Sequence, residues 1–197
     1  IAGRNYSVQA NLMLSSEVWG EMEKAFNESN GRLAERMLAS LEAAQNVGGD
    51  IRGMQSASIK VWKGNSTGKP WEDKLMDIRV EDNPAPLAEL KRLLTVHRAY
   101  EHMNAGDVAV EKNDMTLAMN EYNAAMEMFP DNLEMKFWTA VTLANTGRLD
   151  EALPLFNIVF ATDKKWKTLT PRLPKSGLLN VSEDDMKKIL NTGEKNN

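Results

Sequence analysis

The sequence predicts an α+β chain in which a mixed layer of helices and strands is followed by an all-α part made of repeated helical hairpins. Three observations carry this expectation. Helix-period and strand-like patterns alternate over the first 85 residues. Two apolar runs, 56–62 and 74–80, flank a loop rich in turn formers. From about Ala99 onward, small and large residues recur with a period of about 34 residues.

In chain order, residues 4–14 (RNYSVQANLML) alternate loosely and predict a strand. Ser15 and Ser16 precede EVWGEMEKAF, where Val18, Met22, Ala25 and Phe26 share one helical face and Ser16 is the expected cap. After Asn30-Gly31, the stretch RLAERMLASLEAAQNVGG carries a stripe of Leu33, Met37, Leu38, Leu41 and Ala44, and Gly48 supplies the stop. SASIKVW and KLMDIRV then predict a β-hairpin. Its loop superficially resembles a phosphate loop. It has three residues between Gly64 and Gly68 rather than four, Pro70 replaces the magnesium-binding hydroxyl, and no helix is expected after it. Asn83-Pro84-Ala85-Pro86 breaks the pattern before a helix over LAELKRLLTVHRAYEHM.

The repeat defines the second half. Ala118-x3-Tyr122 followed by Pro130 fits the A-x3-F…P core of the tetratricopeptide pattern. One period further on, Gly106 aligns with Ala140, Ala109 with Leu143, Asn113 with Gly147, Met115 with Leu149, Ala118 with Ala152 and Tyr122 with Phe156. Helices are expected over 99–111, 115–128, 133–145 and 149–161. Such units bury their apolar faces on one another, so two repeats need covers at both ends. The helix at 86–98 is expected to cover one end, and Trp166 with the LTPRLPKSGLL segment the other. A last helix starts at Ser182, with Glu183, Asp184 and Asp185 in its first turn and Lys187 and Lys188 later. Met115, Met119, Met126, Met128 and Met135 crowd the repeats, either lining an adaptable peptide groove or filling gaps in the core.

Bulk properties exclude several classes. The 42% hydrophobic and 26% charged composition predicts a soluble globular chain, with no run of about 20 apolar residues to span a membrane. Residues 1–10 show neither the basic nor the apolar segment of a signal peptide, and the compartment, cytoplasmic or extracytoplasmic, stays open. With no cysteine there is no disulfide, thiolate metal site or Cys nucleophile. His97 and His102 are spaced wrongly for a zinc pair on one helix face, and no metal or other cofactor is expected. A net charge of −4 without a basic run argues against nucleic acid as a partner. The sequons at Asn5, Asn27, Asn65 and Asn180 bear on function only in a secreted eukaryotic protein.

Four peptides, NYSVQANLM (5–13), GGDIRGMQSA (48–57), DIRVEDNPAPLAEL (77–90) and WKTLTPRLPKSGLL (166–179), together resemble a bacterial family called domain of unknown function 1028, placed in the Ntn-hydrolase superfamily. The most specific piece is Gly48-Gly49-Asp50-x-Arg52-Gly53-x-Gln55-Ser56-Ala57, and some members carry a C-terminal tetratricopeptide extension. The resemblance implies that residues 1–85 are the C-terminal portion of an Ntn-hydrolase-like αββα domain, its layer incomplete. A connecting helix follows at 86–98, two tetratricopeptide-like repeats at 99–165, and a cap segment with a helix at 166–197. It also implies an amide-bond hydrolase whose Thr or Ser nucleophile lies upstream, since Ile1 has no nucleophilic atom. No catalytic residue is therefore expected within this chain.

The candidate substrate-binding residues are Asn11, Asp50, Arg52, Gln55 and Ser56. Glycines let a backbone approach a ligand closely, and an Arg fork matches a carboxylate, so Asp50 and Arg52 suit the amine and carboxylate of an amino-acid-like molecule. The alternative is a helix stop in which the Asp–Arg pair pins the loop. Asn11, beside Gln9, is either an oxyanion donor or a residue bonding backbone. Arg79 with Asp77 or Asp82 is read first as a brace of the fold. The expected partners are a small amide or peptide-like substrate and, through the repeats, another protein or a second copy of this chain. The other reading is a non-catalytic scaffold acting through the repeats alone.

Overall fold

The computed structural model describes residues 1–193. The described residues are mostly helical with one small sheet, and the chain divides into two compact units, Ile1–Val96 and His97–Asn197.

In the first unit, residues 4–14 do not form the expected strand. They hold only isolated bridges, Ala2 to Ser7 and Met13 to Asp50. The run is broken twice: it begins inside a tight turn in which Gly3 donates to the Tyr6 carbonyl and Val8 to the Ile1 carbonyl, and Leu12 takes a left-handed backbone (φ 56°) that a continuous strand cannot accommodate. Helix α1 (Val18–Glu28) follows. Its first-turn cap is Glu17 without a side-chain bond, and it is Ser15, not Ser16, whose hydroxyl accepts from the Glu17 amide at 3.1 Å.

Helix α2 (Leu33–Asn46) packs against α1. Arg36 ties the two together by donating to the Phe26 carbonyl at 3.0 Å while its guanidinium lies over the Phe26 ring. Ser40, buried on the same face, donates to the Met22 carbonyl at 3.0 Å. Strands β1 (Ala57–Trp62) and β2 (Lys74–Val80) form the expected antiparallel hairpin. Its register sets Ala57 opposite Val80, Ile59 opposite Ile78 and Val61 opposite Met76, so one face is apolar. That face meets Ala34 and Leu38 of α2, together with Leu90 and Leu94.

The hairpin loop departs from expectation by ending in a single helical turn, α3 (Pro70–Asp73). Pro70 fits a first helical position because it has no N–H to satisfy. Asp73, almost fully buried, closes the loop by accepting from the Ser66 hydroxyl (2.8 Å) and from the Thr67 amide and hydroxyl. Burial alone pushes its carboxyl upward, but these hydrogen bonds outweigh it and hold the pKa below the usual carboxylate value.

A single helix, α4 (Pro86–Glu111), covers the two spans expected as separate helices, 86–98 and 99–111. The division between the units falls inside it. In the second unit, α5 (Met115–Met128), α6 (Leu133–Asn145) and α7 (Leu149–Thr162) lie on the expected spans. Asp114 caps α5 by accepting from the Leu117 amide, and Asn132 caps α6 by accepting from the Glu134 and Met135 amides.

The turns into α5 and α7 are built alike. Asn113 and Gly147 are both left-handed (φ 59° and 78°). In each turn two bonds close the preceding helix: Asn113 and Asp114 donate to Val110 and Ala109, and Gly147 and Arg148 donate to Ala144 and Leu143. Every one of these groups has its counterpart one period of about 34 residues away. Ala118, Tyr122, Ala152 and Phe156 are fully buried. Gly106 admits the Tyr122 ring so closely that any Cβ there would collide with it. The Tyr122 hydroxyl donates to Asp107 at 2.7 Å, and burial with that carboxylate pushes the phenol well above its usual pKa.

Beyond α7, α8 (Lys164–Leu169) leads into two 3-10 turns and then α9 (Glu183–Leu190). Trp166 lies against Phe137 with ring centroids 4.7 Å apart, and Leu173, Leu179 and Ile189 are buried with Phe156 and Phe160. Ser182 caps α9 by accepting from the Asp185 amide at 3.1 Å. Helices α5, α7 and α9 begin at Met115, Leu149 and Glu183, so the spacing of about 34 residues extends once more, into the covering segment. Met135 is fully buried and Met119 and Met126 pack against the core, as gap fillers do.

Because Ala152 is fully buried on α7, which packs against α6, in one cluster with Ala140, Leu143 and Ala144, Ala152→Leu overpacks the contact. It is expected to cost about 1–3 kcal/mol, read as a fall in the thermal midpoint. An unchanged midpoint contradicts the packing described for α6 and α7.

Candidate functional site

The first unit holds a cavity of about 580 Å³. Its construction starts at the end of α2. Gly48 and Gly49 are left-handed (φ 110° and 57°), and their amides donate to Gln45 and Ala44, satisfying the last carbonyls of the helix. The chain thereby turns back on residues 12–14. Leu14 donates to the Gly49 carbonyl and Ile51 to the Leu12 carbonyl, both at 2.9 Å, which pairs Met13 with Asp50. At the far end of the loop, Asn83 donates to the Gln55 carbonyl at 3.0 Å. Residues 49–56 are held at both ends and form one rim of the cavity.

Asp50, Arg52, Gln55 and Ser56 all line this cavity. Asn11 does not; it is exposed, next to the left-handed Leu12, and Gln9 reaches the cavity from that segment instead. Asp50 and Arg52 are engaged with one another. Arg52 donates from Nε to Oδ1 at 2.9 Å and from Nη2 to Oδ2 at 2.6 Å, and its amide donates to Oδ1 at 2.9 Å. These bonds hold the Asp50 carboxyl at a pKa of about 2. The rest of the guanidinium faces solvent, with the Arg52 side chain 69% exposed.

The Gln55 amide reaches Asp82 Oδ1 at 3.4 Å. Asp77 and Arg79, two apart on β2, pair with each other at 2.7 and 2.8 Å and do not line the cavity. Gln45, Met13, Met22 and Leu41 also line the cavity without being expected as site residues. Met22 and Leu41 belong to apolar helical stripes that cannot be told from core by spacing, and Gln45 carries no signal beyond its place just before the helix stop. Among the described residues, no group of three or more His, Asp or Glu is placed to hold a metal. Chemically, the rim offers one guanidinium, one carboxylate already paired with it, three side-chain amides and a hydroxyl.

Because its pKa is depressed, the stabilisation that Asp50 brings, small for so exposed a pair, is full above the unfolded value near ~3.9 and is lost as pH falls toward about 2. Carboxyl NMR is therefore expected to show Asp50 titrating near 2, moving up toward the unperturbed value in Arg52→Ala. A midpoint unaffected by that substitution contradicts the pairing.

No curated protein and no solved structure matches this chain. Residues 1–90 match the model described as a family of unknown function (DUF1028), which supports that family for the stretch that builds the cavity.

Proposed function

We propose that the first unit binds a small amide or peptide-like substrate as part of an Ntn-hydrolase-type amidohydrolase. The second unit then serves as a tetratricopeptide-type module for a protein partner or for self-association. The observation that carries the first statement is the meeting of Asp50, Arg52, Gln55 and Ser56 on one cavity, within the stretch that matches the family. Amide hydrolysis needs the substrate oriented and its developing oxyanion met by donors. In this reading the Arg52 guanidinium takes a substrate carboxylate, with Asp50 fixing its plane. Gln55 and Ser56 supply N–H and O–H donors toward the carbonyl. None of these residues is assigned the nucleophile's part.

The second reading, a non-catalytic scaffold, is favoured by the duplicated left-handed turns at Asn113 and Gly147 and by the buried Ala118–Tyr122 and Ala152–Phe156 pairs. In that reading the hairpins alone carry the function, and the cavity binds nothing.

The two separate by ligand binding. N-acetylglycine, followed by amide NMR shifts, is expected to perturb Asp50, Arg52 and Gln55. Arg52→Ala is expected to weaken binding at least tenfold, or about 1.4 kcal/mol, with little change in the thermal midpoint, because the Arg52 side chain is mostly exposed. A midpoint that falls sharply while binding persists assigns Arg52 to bracing the loop.

A further inference from the structure

The cavity that carries the proposed amide site has two chemically different parts. The rim holds Asp50, Arg52, Gln55 and Ser56, with the amides of Gln9 and Gln45 nearby. The more buried part of the lining is apolar and forms the floor: Val18 of α1 is buried, and Met13, Met22, Leu41, Ala44 and Leu87 are half-buried, whereas Arg52, Gln55 and Ser56 on the rim are exposed. Asp50 and Arg52 are the only charged residues lining the cavity among those described. A charged or strongly polar ligand of this volume would leave its polar groups unpaired against the floor.

The rim chooses between a free amine and an acylated one. Both Asp50 oxygens already accept from Arg52, and the carboxylate is held ionised by that fork. An incoming ammonium would have to compete with a bidentate guanidinium for them. A neutral amide avoids that competition and finds side-chain amide and hydroxyl partners on the same rim. The carboxylate of such a ligand can still meet the solvent-facing part of Arg52. Its acyl chain is left pointing at the floor, where the Met13 and Met22 thioethers adapt to a flexible chain.

We infer that the ligand of this site is an N-acyl amino acid, with its carboxylate at Arg52, its amide among the rim amides and Ser56, and a hydrocarbon acyl chain on the floor of Met13, Met22 and Leu41. The inference rests on the amide-site reading above and adds the acyl chain to it.

Isothermal titration of the full chain with N-acetylglycine, N-hexanoylglycine and N-octanoylglycine tests it. Each buried methylene is expected to tighten binding roughly fourfold, so N-hexanoylglycine binds at least tenfold more tightly than N-acetylglycine. Ala44→Phe narrows the floor and is expected to bring the N-hexanoylglycine to N-acetylglycine affinity ratio back toward one, whatever it does to each affinity alone. Ala10, which lines the cavity from the N-terminal segment, offers a second test: Ala10→Leu is expected to lower the same ratio, should Ala44→Phe fail to fold by circular dichroism. Equal affinities for the three ligands overturn the acyl inference and leave the amide-site reading standing. If no ligand of the series binds, the amide-site reading fails with it. If N-hexanoylglycine binds Arg52→Ala as tightly as the unsubstituted chain, the placement of the carboxylate is wrong.

Discussion

Helix α2 ends at two residues whose backbone conformations cost little only in glycine, with Gly48 and Gly49 at φ 110° and 57°. That stop sets the direction of the following loop. The two glycine amides bond back to Gln45 and Ala44, and the chain leaves the helix pointing at residues 12–14, where it forms two backbone hydrogen bonds. Space enforces the same choice, since a Cβ on Gly48 would lie 2.8 Å from Leu14 Cδ2. From this one constraint follow the pairing of Met13 with Asp50, the rim position of Arg52, and the enclosure of the cavity between α1 and α2. The Asp50–Arg52 fork is local to that loop, joining residues two apart.

The second unit rests on the same physics used for packing rather than for a site. Small residues at Gly106, Ala118 and Ala152 let helices approach, and large ones at Tyr122 and Phe156 fill the space so created. Left-handed turns at Asn113 and Gly147 fold each helix back on the next. A helical hairpin with one apolar face must bury it on a neighbour, and Leu173, Leu179 and Ile189 from the C-terminal segment provide that cover for Phe156 and Phe160. Helix α9 begins at the same spacing from α7 as α7 does from α5.

Where side-chain period decided the outcome, the sequence was legible. The helices from Met115 to Thr162, the two strands of the hairpin and the Gly48 stop all follow from patterns a few residues wide. Residues 4–14 misled because alternation alone does not supply a partner strand, and Leu12 turns left-handed where a strand would continue. Of the two polar residues singled out on that segment, Gln9 lines the cavity and Asn11, next to the left-handed Leu12, does not. The polar rim was readable because an acid, a base, an amide and a hydroxyl between glycines is an unusual local composition. The apolar floor was not, because Met22 and Leu41 facing a cavity look the same in sequence as Met22 and Leu41 facing a core.

The central claim is that the glycine stop of α2 builds the rim of the cavity. Amide hydrogen exchange on Gly48→Ala tests it most directly, since the Leu14 and Ile51 amides are the two donors of the Met13–Asp50 pairing. The account predicts that these two amides lose most of their protection, while the Ile59 and Ile78 region of the hairpin keeps it. Unchanged protection at Leu14 and Ile51 would contradict it.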